Sequence, residues 1–333
     1  MRVAVIGGSG YLGALIADRC QERGHSVVAL SRHRGVGTWE HQQCDLTAPG
    51  LGAERARAAI TEADVCVFAA GSVSWQSSST ESLQVHDRGI ATLLQLVESA
   101  ANPPRLVHVS SILALGEPDK AVASDQLFVG QRFRNWYEYG KYVAEHRVRQ
   151  SATRHNIVRF GPLLGLGYDA AIPDIRYGLP ALFPMALAGY PIPITDGGQY
   201  PCYVGDVLGA AELVVDMAEW TEFGRTVTWF DPQNPSLCEI LTRICLPFGK
   251  YPRIIKADTG RAEWLMRTLM RRIGTDANLT DYAHGWVDVD ARADSEFTRE
   301  VRGREGYIQQ MSAAMAGQSW SRPQHIDVRY THA

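Results

Sequence analysis

Long hydrophobic runs and an excess of charge of one sign are both missing from this sequence. No apolar run approaches the roughly 20 residues that cross a bilayer, so a membrane-spanning helix is not expected. The 33 basic and 36 acidic residues give a formal net charge of −3, which provides no overall field for nucleic acid or an anionic membrane. The apolar start at 3–6 meets glycine too soon for a secretory signal. We therefore expect a soluble, cytoplasmic protein without nucleic-acid or membrane partners.

Cysteine is sparse, and no two cysteines are closely spaced as metal ligands would be. Zinc sites need neighbouring cysteine or histidine ligands, and no C-x-x-C pair or histidine cluster accompanies any cysteine. We therefore expect no metal site, and we interpret the thiols as small buried apolar groups. The six cysteines are Cys20, Cys44, Cys66, Cys202, Cys238 and Cys245.

Strand and helix patterns alternate over the first 160 residues. Short apolar runs rich in β-branched residues lie at 2–6, 26–30, 64–69, 105–109 and 156–160. Amphipathic stretches separate them, near 11–23, 50–60, 81–101 and 137–150. This alternation predicts βαβ units and a doubly wound parallel sheet. We expect an α/β fold of the Rossmann type, with a dinucleotide-binding domain over 1–160.

Glycine and proline become frequent after Pro162, which indicates irregular structure. We expect a smaller, irregular substrate-binding region over 161–317, with some elements returning to the first domain, and a polar C-terminal tail over 318–333. Helical patterns in this half lie near 181–188, 206–218, 235–247 and 260–273.

A glycine turn follows the first strand pattern. Gly7, Gly10 and Gly13 are spaced as G-x-x-G-x-x-G and open the first helix pattern. A dinucleotide pyrophosphate needs backbone N–H groups at a helix N-terminus without an obstructing side chain. The position at the first strand–helix junction therefore predicts cofactor binding by this segment, which also contains Ser9, Tyr11 and Leu12.

The residues after the second strand pattern favour NADP(H) over NAD(H). Enzymes that use NAD usually place a carboxylate there, on the ribose 2′-hydroxyl. This chain has Ser31 and Arg32 instead, and a guanidinium matches a phosphate in a bidentate way. The alternative is a solvated basic loop that contacts no ligand.

Two residues on one face of a predicted helix can carry proton chemistry. Tyr137 and Lys141 are four residues apart. A free tyrosine has a pKa of about 10, and a neighbouring ammonium lowers that pKa. The pair can therefore pass a proton to or from a substrate oxygen while hydride moves to or from a nicotinamide. Ser110 or Ser111, at the end of a strand pattern, can hold that oxygen.

Together these features resemble the extended short-chain dehydrogenase/reductase family, of the NAD-dependent epimerase/dehydratase type, over most of the chain. The resemblance implies that Ser111, Tyr137 and Lys141 are catalytic. It also implies a homodimer through the helices near 86–101 and 137–150. Further cofactor contacts are implied at Asp45, Leu46, Ala69, Ala70, Gly71, Ser110, Phe160, Gly161 and Pro162, beside the glycine turn, Ser31, Arg32, Tyr137 and Lys141.

The chain departs from that family pattern in two ways. The family usually has asparagine at the start of the fourth helix, where it supports a water-linked proton path to the lysine. His86 stands at this position, either in a proton path or as a structural histidine. The stretches around Ile112 and Trp136 also lack the Asp-Glu pair that sugar-nucleotide dehydratases of the family use, which argues against dehydration.

Three functions remain open at this point. We expect an NADPH-dependent ketoreductase or alcohol dehydrogenase that acts on a small, partly apolar molecule. A nucleotide-sugar 4-ketoreductase or epimerase is the alternative, and a cofactor-binding sensor or scaffold without turnover is the third. The candidate substrate contacts are Trp75, Trp136 and Leu163.

Overall fold

The structure is a computed structural model, and it describes residues 1–48, 51–71, 77–117, 122–123, 125–127, 130–175, 178–273, 282, 289–290 and 306–315. Trp75 and the tail expected over 318–333 lie outside the described residues. Within the ranges above, no helix combines the length and the apolar character that a membrane crossing requires.

A seven-stranded parallel sheet forms the centre of the fold. The strands in chain order are β1 (Arg2–Ile6), β2 (Ser26–Ser31), β3 (Glu40–Gln43), β4 (Val65–Phe68), β5 (Arg105–Ser111), β6 (Val122–Ala123), β7 (His155–Phe160), β8 (Leu163–Leu164), β9 (Pro191–Thr195), β10 (Gly205–Asp206), β11 (Thr226–Trp229), β12 (Arg253–Ala257) and β13 (Val289–Asp290). The order across the sheet is β11-β7-β5-β4-β1-β2-β3. This arrangement confirms the predicted Rossmann-type α/β fold.

Two strands of this sheet were not predicted. β3 is a polar edge strand, EHQQ, so it lacks an apolar pattern. β11 is buried, but it has only four residues and lies far along the chain. It pairs with β7, so the chain returns to the sheet after the irregular segment.

The helices flank the sheet and build the second half. In chain order they are α1 (Tyr11–Glu22), α2 (Leu51–Thr61), α3 (Ser79–Leu83), α4 (Ile90–Glu98), α5 (Trp136–Gln150), α6 (Phe183–Leu187), α7 (Val207–Glu219), α8 (Leu237–Cys245), α9 (Thr259–Ile273) and α10 (Tyr307–Met315). The continuous helix predicted near 81–101 is instead divided. A capping box of Ser78 and Glu81 starts α3, and a π-helical turn at Gln84–Gly89 joins it to α4.

Alternate residues of the strands point to opposite faces of the sheet, and each face has its own core. On β1, Val3 and Val5 pack with α1 and α7, whereas Ala4 and Ile6 pack with α2, α4 and α5. The α1–α7 contact is also charged at its edge, since Arg23 forms ion pairs with Glu212, Asp216 and Glu219 of α7.

A third core lies in the second half of the chain. It collects buried residues of α6, α8, α9, α10 and β9, with Phe183, Ile192 and Ile240 among its fully buried members. Short parallel strand pairs support this half, namely β8 with β10 and β9 with β12. The catalytic candidates therefore sit between a regular sheet and a more irregular, separately packed region.

Candidate active site

The glycine turn passes very close to the end of β4. Gly7 has a φ of +89°, in the left-handed region that favours glycine. A Cβ on Gly7 would lie 2.7 Å from the backbone nitrogen of Ala70, and a Cβ on Gly13 would overlap the carbonyl oxygen of Gly7. Both positions therefore require glycine if the turn is to approach β4 and pack on α1.

The first turn of α1 follows directly and offers its N–H groups. Gly10 is the N-cap residue and has no side chain to accept a hydrogen bond from them. The side chain of Tyr11 leaves the turn, because its hydroxyl donates to the Gly165 carbonyl at 2.8 Å. The backbone of Tyr11 and Leu12 is thus left for an anion, which the helix dipole also favours.

A cleft opens at the carboxyl ends of β1, β2 and β4. Doubly wound sheets bind ligands at this edge, where the strand order reverses. The cleft brings together ten predicted cofactor contacts: Gly7, Ser9, Gly10, Ser31, Arg32, Asp45, Leu46, Ala69, Ala70 and Gly71. It is also lined by residues that were not assigned from sequence: Ile6, Leu30, His33, Cys44, Thr47, Phe68, Val85 and Gly89.

Ser31 and Arg32 lie side by side at the rim of this cleft. The Ser31 hydroxyl donates to the His33 carbonyl at 2.6 Å, which fixes its orientation. Arg32 is exposed, so its guanidinium can reach an anionic group at the rim. No carboxylate stands at the end of β2.

Asp45 provides the cleft with one carboxylate, on the far side of β2. Partial burial raises its pKa, but the hydrogen bonds from Thr47 and the charge of Arg32 outweigh that effect and hold the pKa below its ordinary value. The Thr47 backbone N–H and hydroxyl donate to Oδ1 at 2.9 and 2.7 Å. Asp45 is therefore ionised at neutral pH and held in place.

The two candidate serines are consecutive residues at the end of β5, so their side chains point to opposite faces of the sheet. Ser110 Oγ donates to Glu145 Oε2 at 2.9 Å. Ser111 accepts a hydrogen bond from the Leu113 N–H at 3.2 Å, and its hydroxyl is hydrogen-bonded to Tyr137. The structure thus brings Ser111, and not Ser110, to the tyrosine.

Tyr137 lies at the start of α5 and is half-buried. Burial raises the pKa of Tyr137 to about 12, and the Glu138 charge adds to this, while the hydrogen bond with Ser111 acts in the opposite direction. The phenol is consequently a neutral acid at pH 7 and can donate a proton.

Lys141 lies one helical turn further along, with a buried ammonium. Nζ is 5.9 Å from the centre of the Tyr137 ring and donates to the Val109 carbonyl at 3.3 Å. Burial lowers the pKa of Lys141 to about 8, while the carboxylate of Glu145 acts to raise it. The ammonium is still charged at neutral pH, and its charge favours a phenolate on Tyr137.

Glu145 continues the same helix face by one more turn, and it was not singled out from the sequence. Its carboxylate is fully buried and accepts hydrogen bonds from Arg159 at 2.5 and 3.0 Å. Arg149 also pairs with it, at 3.0 Å. Burial raises the pKa of Glu145, but the arginines outweigh this and lower it overall. Its spacing of four from Lys141 is the signal that could have identified it.

His86 lies beside this pair, in the π-helical turn between α3 and α4. It is fully buried, and its ring meets the ring of Tyr137 edge-on at 6.0 Å between centres. A Cβ on Gly71 would lie 3.2 Å from His86 Cε1 and 3.4 Å from Lys141 Nζ, and one on Gly140 would lie 2.9 Å from His86 Cδ2. Two glycines therefore provide the space for an imidazole next to Lys141. Such π-helical turns often occur at functional sites.

The segment leaving β7 crosses the chain near residue 203. Phe160 is buried against Trp229, with 6.0 Å between ring centres. A Cβ on Gly161 would overlap the carbonyl oxygen of Tyr203, and the Pro162 carbonyl accepts from the Gly205 N–H at 3.0 Å. Gly161 is thus required where the chain passes residue 203, just before β8 and β10 pair.

Two candidate substrate residues, Trp136 and Leu163, are only partly covered by other protein groups. The ring of Trp136 is 46% exposed and packs edge-on against Tyr139 at 5.7 Å between centres. Leu163 packs against the core that α1 and α7 cover. Both stay predicted substrate contacts, and the third candidate, Trp75, lies outside the described residues.

The thiols lie mainly in the core. Cys20, Cys44, Cys66, Cys202 and Cys245 are buried, and Cys238 is half-buried. Burial raises the pKa of the Cys66 thiol to about 12, which makes it unreactive. Among the described residues, no three histidine, cysteine or acidic side chains lie close enough together to hold a metal ion.

The fold and this site together define a nucleotide-binding α/β protein with a serine, a tyrosine and a lysine at the carboxyl end of its parallel sheet. The sequence profile of the NAD dependent epimerase/dehydratase family matches residues 3–220. The chain belongs to this family of nicotinamide-dinucleotide-dependent enzymes, which confirms the resemblance to extended short-chain dehydrogenases/reductases.

Two relatives share the description "Epimerase family protein SDR39U1". The Bos taurus protein is 30% identical over 180 residues, which cover 51% of this chain and 57% of the relative. The Homo sapiens protein is 28% identical over 221 residues, which cover 63% and 68%. The first match thus spans less than two thirds of the relative's own length.

Solved structures with the same fold are more distant in sequence. MoeE5 in complex with UDP-glucose and NAD superposes with a TM-score of 0.70 at 19% identity, over 96% of this chain and 100% of that one. The UDP-glucose 4-epimerase of Thermus thermophilus in complex with NAD gives 0.69 at 18% identity, over the same shares of the two chains.

Proposed function

We propose that the protein is an NADPH-dependent ketoreductase or alcohol dehydrogenase of the extended type. One observation carries the proposal, namely the hydrogen-bonded Ser111–Tyr137 pair with the buried ammonium of Lys141 one turn behind it. A neutral phenol held beside a hydroxyl and a cation is suited to protonating a carbonyl oxygen.

The residues of the cleft fit a dinucleotide. The glycine turn lacks Cβ atoms where a pyrophosphate would approach, and the first N–H groups of α1 have no capping side chain. The Ala69–Gly71 segment lines the cleft directly beside the glycine turn, and Asp45 lines it beyond β2. These residues support binding of the pyrophosphate and adenosine parts of the cofactor.

The chain's own residues handle the proton. Bound NADPH supplies a hydride to the carbonyl carbon. Ser111 Oγ holds the substrate oxygen, and the Tyr137 hydroxyl donates its proton to that oxygen. Lys141 stabilises the phenolate that remains, because its ammonium lies behind the ring. The reverse sequence oxidises an alcohol.

We further propose NADP(H) as the preferred form of the cofactor. Ser31 and the exposed Arg32 stand at the rim where an NAD enzyme would place a carboxylate. A guanidinium there supports a 2′-phosphate through charge-assisted hydrogen bonds.

A nucleotide-sugar 4-ketoreductase or epimerase is the second candidate. It is favoured by the family and by the structural relatives whose descriptions name UDP-sugars, since the same serine, tyrosine and lysine would serve there. A thermal-shift and turnover panel of small ketones and UDP-sugars with NADPH separates the two. Stabilisation by UDP alone would favour the nucleotide-sugar enzyme.

Replacing Tyr137 with phenylalanine tests the proposal itself. We expect kcat for carbonyl reduction to fall roughly 10²- to 10⁴-fold while NADPH still binds, because only the proton donor is lost. Absorbance at the nicotinamide band measures turnover, and nicotinamide fluorescence measures binding. The matched control is Tyr139→Phe, since Tyr139 lies on the outer side of the same helix against Trp136. An unchanged rate in Tyr137→Phe would instead favour a sensor or scaffold.

We also propose a homodimer that uses α5. The outer side of this helix, together with Phe133 three residues before its start, carries a row of rings with 5.0–6.3 Å between neighbouring centres. Trp136 in this row is 46% exposed. Aromatic rings are enriched in protein interfaces. The ring row consists of Phe133, Trp136, Tyr139, Tyr142 and His146.

A further inference from the structure

The outer face of α9 combines arginines with exposed apolar side chains. The helix buries Met266 and Met270 in the core of the second half. On the other side, Trp264 is 66% exposed and Leu265 is 43% exposed. Large apolar groups are seldom left in solvent together on one helix face, so this face is a candidate binding surface.

The helical period places four arginines around these two residues. Arg261, Leu265 and Arg272 lie along one row, and Trp264 and Arg271 lie along the next. Arg267 completes the set at the edge. From Arg261 to Arg272 the row is roughly 16 Å long at 1.5 Å per residue. We call Arg261, Trp264, Leu265, Arg267, Arg271 and Arg272 the α9 face.

Among the described residues, acidic side chains neutralise this face only in part. Arg261 pairs with Asp258, but both side chains are largely exposed, and Arg267 pairs with Glu263 at the edge of the face. Exposed pairs of this kind are weak and exchange readily with other anions. The segment 250–273 contains seven basic and two acidic residues, although the whole chain has a net charge of −3.

We propose that the α9 face binds the surface of an anionic lipid bilayer. Trp264 and Leu265 would enter the boundary between headgroups and acyl chains, where amphipathic and apolar side chains are favoured. The arginines would lie level with the lipid phosphates, and their long stems reach sideways from the helix. The net charge of the whole chain argued against a membrane partner, but it does not reveal the local excess of basic residues in the segment 250–273.

A bilayer fits this face better than a nucleic acid. Only one of the two exposed apolar side chains on this face, Trp264, could stack on a base, whereas Leu265 could not. Insertion into lipid uses both side chains. The face contributes no residue to the cofactor cleft described above, so the proposal is independent of the proposed reaction.

Flotation of the full chain with vesicles tests the charge component. We expect binding to vesicles of phosphatidylcholine mixed with phosphatidylserine, release by salt, and no binding to phosphatidylcholine alone. The double variant Arg271→Ala/Arg272→Ala should bind roughly 10- to 30-fold more weakly than wild type. Its matched control is Arg55→Ala/Arg57→Ala, which removes two exposed arginines from α2.

The apolar component is tested with Trp264→Ala. We expect vesicle binding to weaken several-fold and quenching of tryptophan fluorescence by brominated lipids to be lost, whereas Phe223→Ala, which truncates another exposed ring, should change neither. Equal binding by wild type and both α9 variants would overturn the proposal. So would absence of vesicle binding, tight binding to single-stranded RNA without vesicle binding, or a dimer that Trp264→Ala converts to monomer.

Discussion

Lys141 carries a positive charge at a position from which water is largely excluded. Its ammonium donates a hydrogen bond to the Val109 carbonyl and lies near the carboxylate of Glu145. Burial of the charge costs folding free energy, and the reaction uses that same charge to stabilise a phenolate. Residues of this kind usually reduce stability in favour of function.

Lys141→Met is therefore expected to stabilise the protein while it abolishes turnover. Burial lowers the pKa of Lys141 to about 8 in the folded chain, against about 10.4 when unfolded. Below pH 8 both states hold the proton, and the buried charge costs on the order of 1–3 kcal/mol. Between these values the unfolded state holds more protons, so wild-type stability rises with pH. The advantage of the methionine should shrink over the same window.

Urea unfolding of both proteins from pH 7 to 10 measures this effect. Lys256→Met is the control, because Lys256 is exposed and its change should leave the pH profile as in wild type. A methionine variant that is less stable than wild type at pH 7 would contradict the argument.

Arg32 decides the cofactor in our proposal. Arg32→Ala should raise the KM for NADPH roughly tenfold or more, since a charge-assisted contact to the 2′-phosphate is lost. The KM for NADH should change little, and Arg55→Ala should change neither value. Steady-state kinetics with both cofactors gives the answer, and a wild-type preference for NADH would refute the assignment.

At the scale of the element, β5 carries an unusual side chain in its interior. His108 is fully buried and stacks on Phe68 with 5.8 Å between ring centres. Within the described part of the chain, neither ring nitrogen has a hydrogen-bond partner. Burial, and then the charge of Lys141, lowers the pKa of His108 to about 3. The imidazole is therefore neutral in the folded protein down to about pH 3.

We expect His108 to contribute to the loss of folding stability at acid pH. Between about pH 6.5 and 3 the unfolded chain binds a proton that folded His108 does not, so stability falls as the pH is lowered through this window. His108→Leu removes the effect, and its acid-unfolding midpoint should move to lower pH. Far-UV circular dichroism measures the midpoint, and His33→Ala, at an exposed histidine, should leave it unchanged. An unshifted midpoint in His108→Leu would disprove this origin.

Local spacing made several elements predictable. The glycine turn and the Tyr137–Lys141 pair depend on residues within one or two helical turns, and the end of a strand pattern locates Ser111. Asp45 was predicted only through the family resemblance. The side of α5 on which Trp136 lies depends on how the helix packs against the sheet, and this packing cannot be predicted from the sequence pattern. The polar edge strand β3 and the π-helical turn around His86 are also set by their neighbours, and so could not be read from periodicity.

At the scale of the whole molecule, the row of rings on α5 bears on assembly. Tyr142→Glu places a charge in that row, and we expect it to convert a dimer to a monomer because burial of an unpaired carboxylate is unfavourable. Light scattering coupled to gel filtration measures the mass, and Phe223→Glu, at another exposed ring, is the control. A monomeric wild type, or an unchanged dimer in Tyr142→Glu, would rule out this interface.

The return of α7 and β11 to the sheet has a consequence for synthesis of the chain. α7 covers one face of the strands made first, and β11 supplies the outermost strand beside β7. Until residue 219 has left the ribosome, Val3, Val5 and their neighbours have no cover from α7. The nascent chain therefore carries an open apolar face through the synthesis of the whole segment 161–206. The three acidic partners of Arg23 are also synthesised only later, with α7. The cofactor-binding half is the first to be translated, yet its core is completed only by the half that follows.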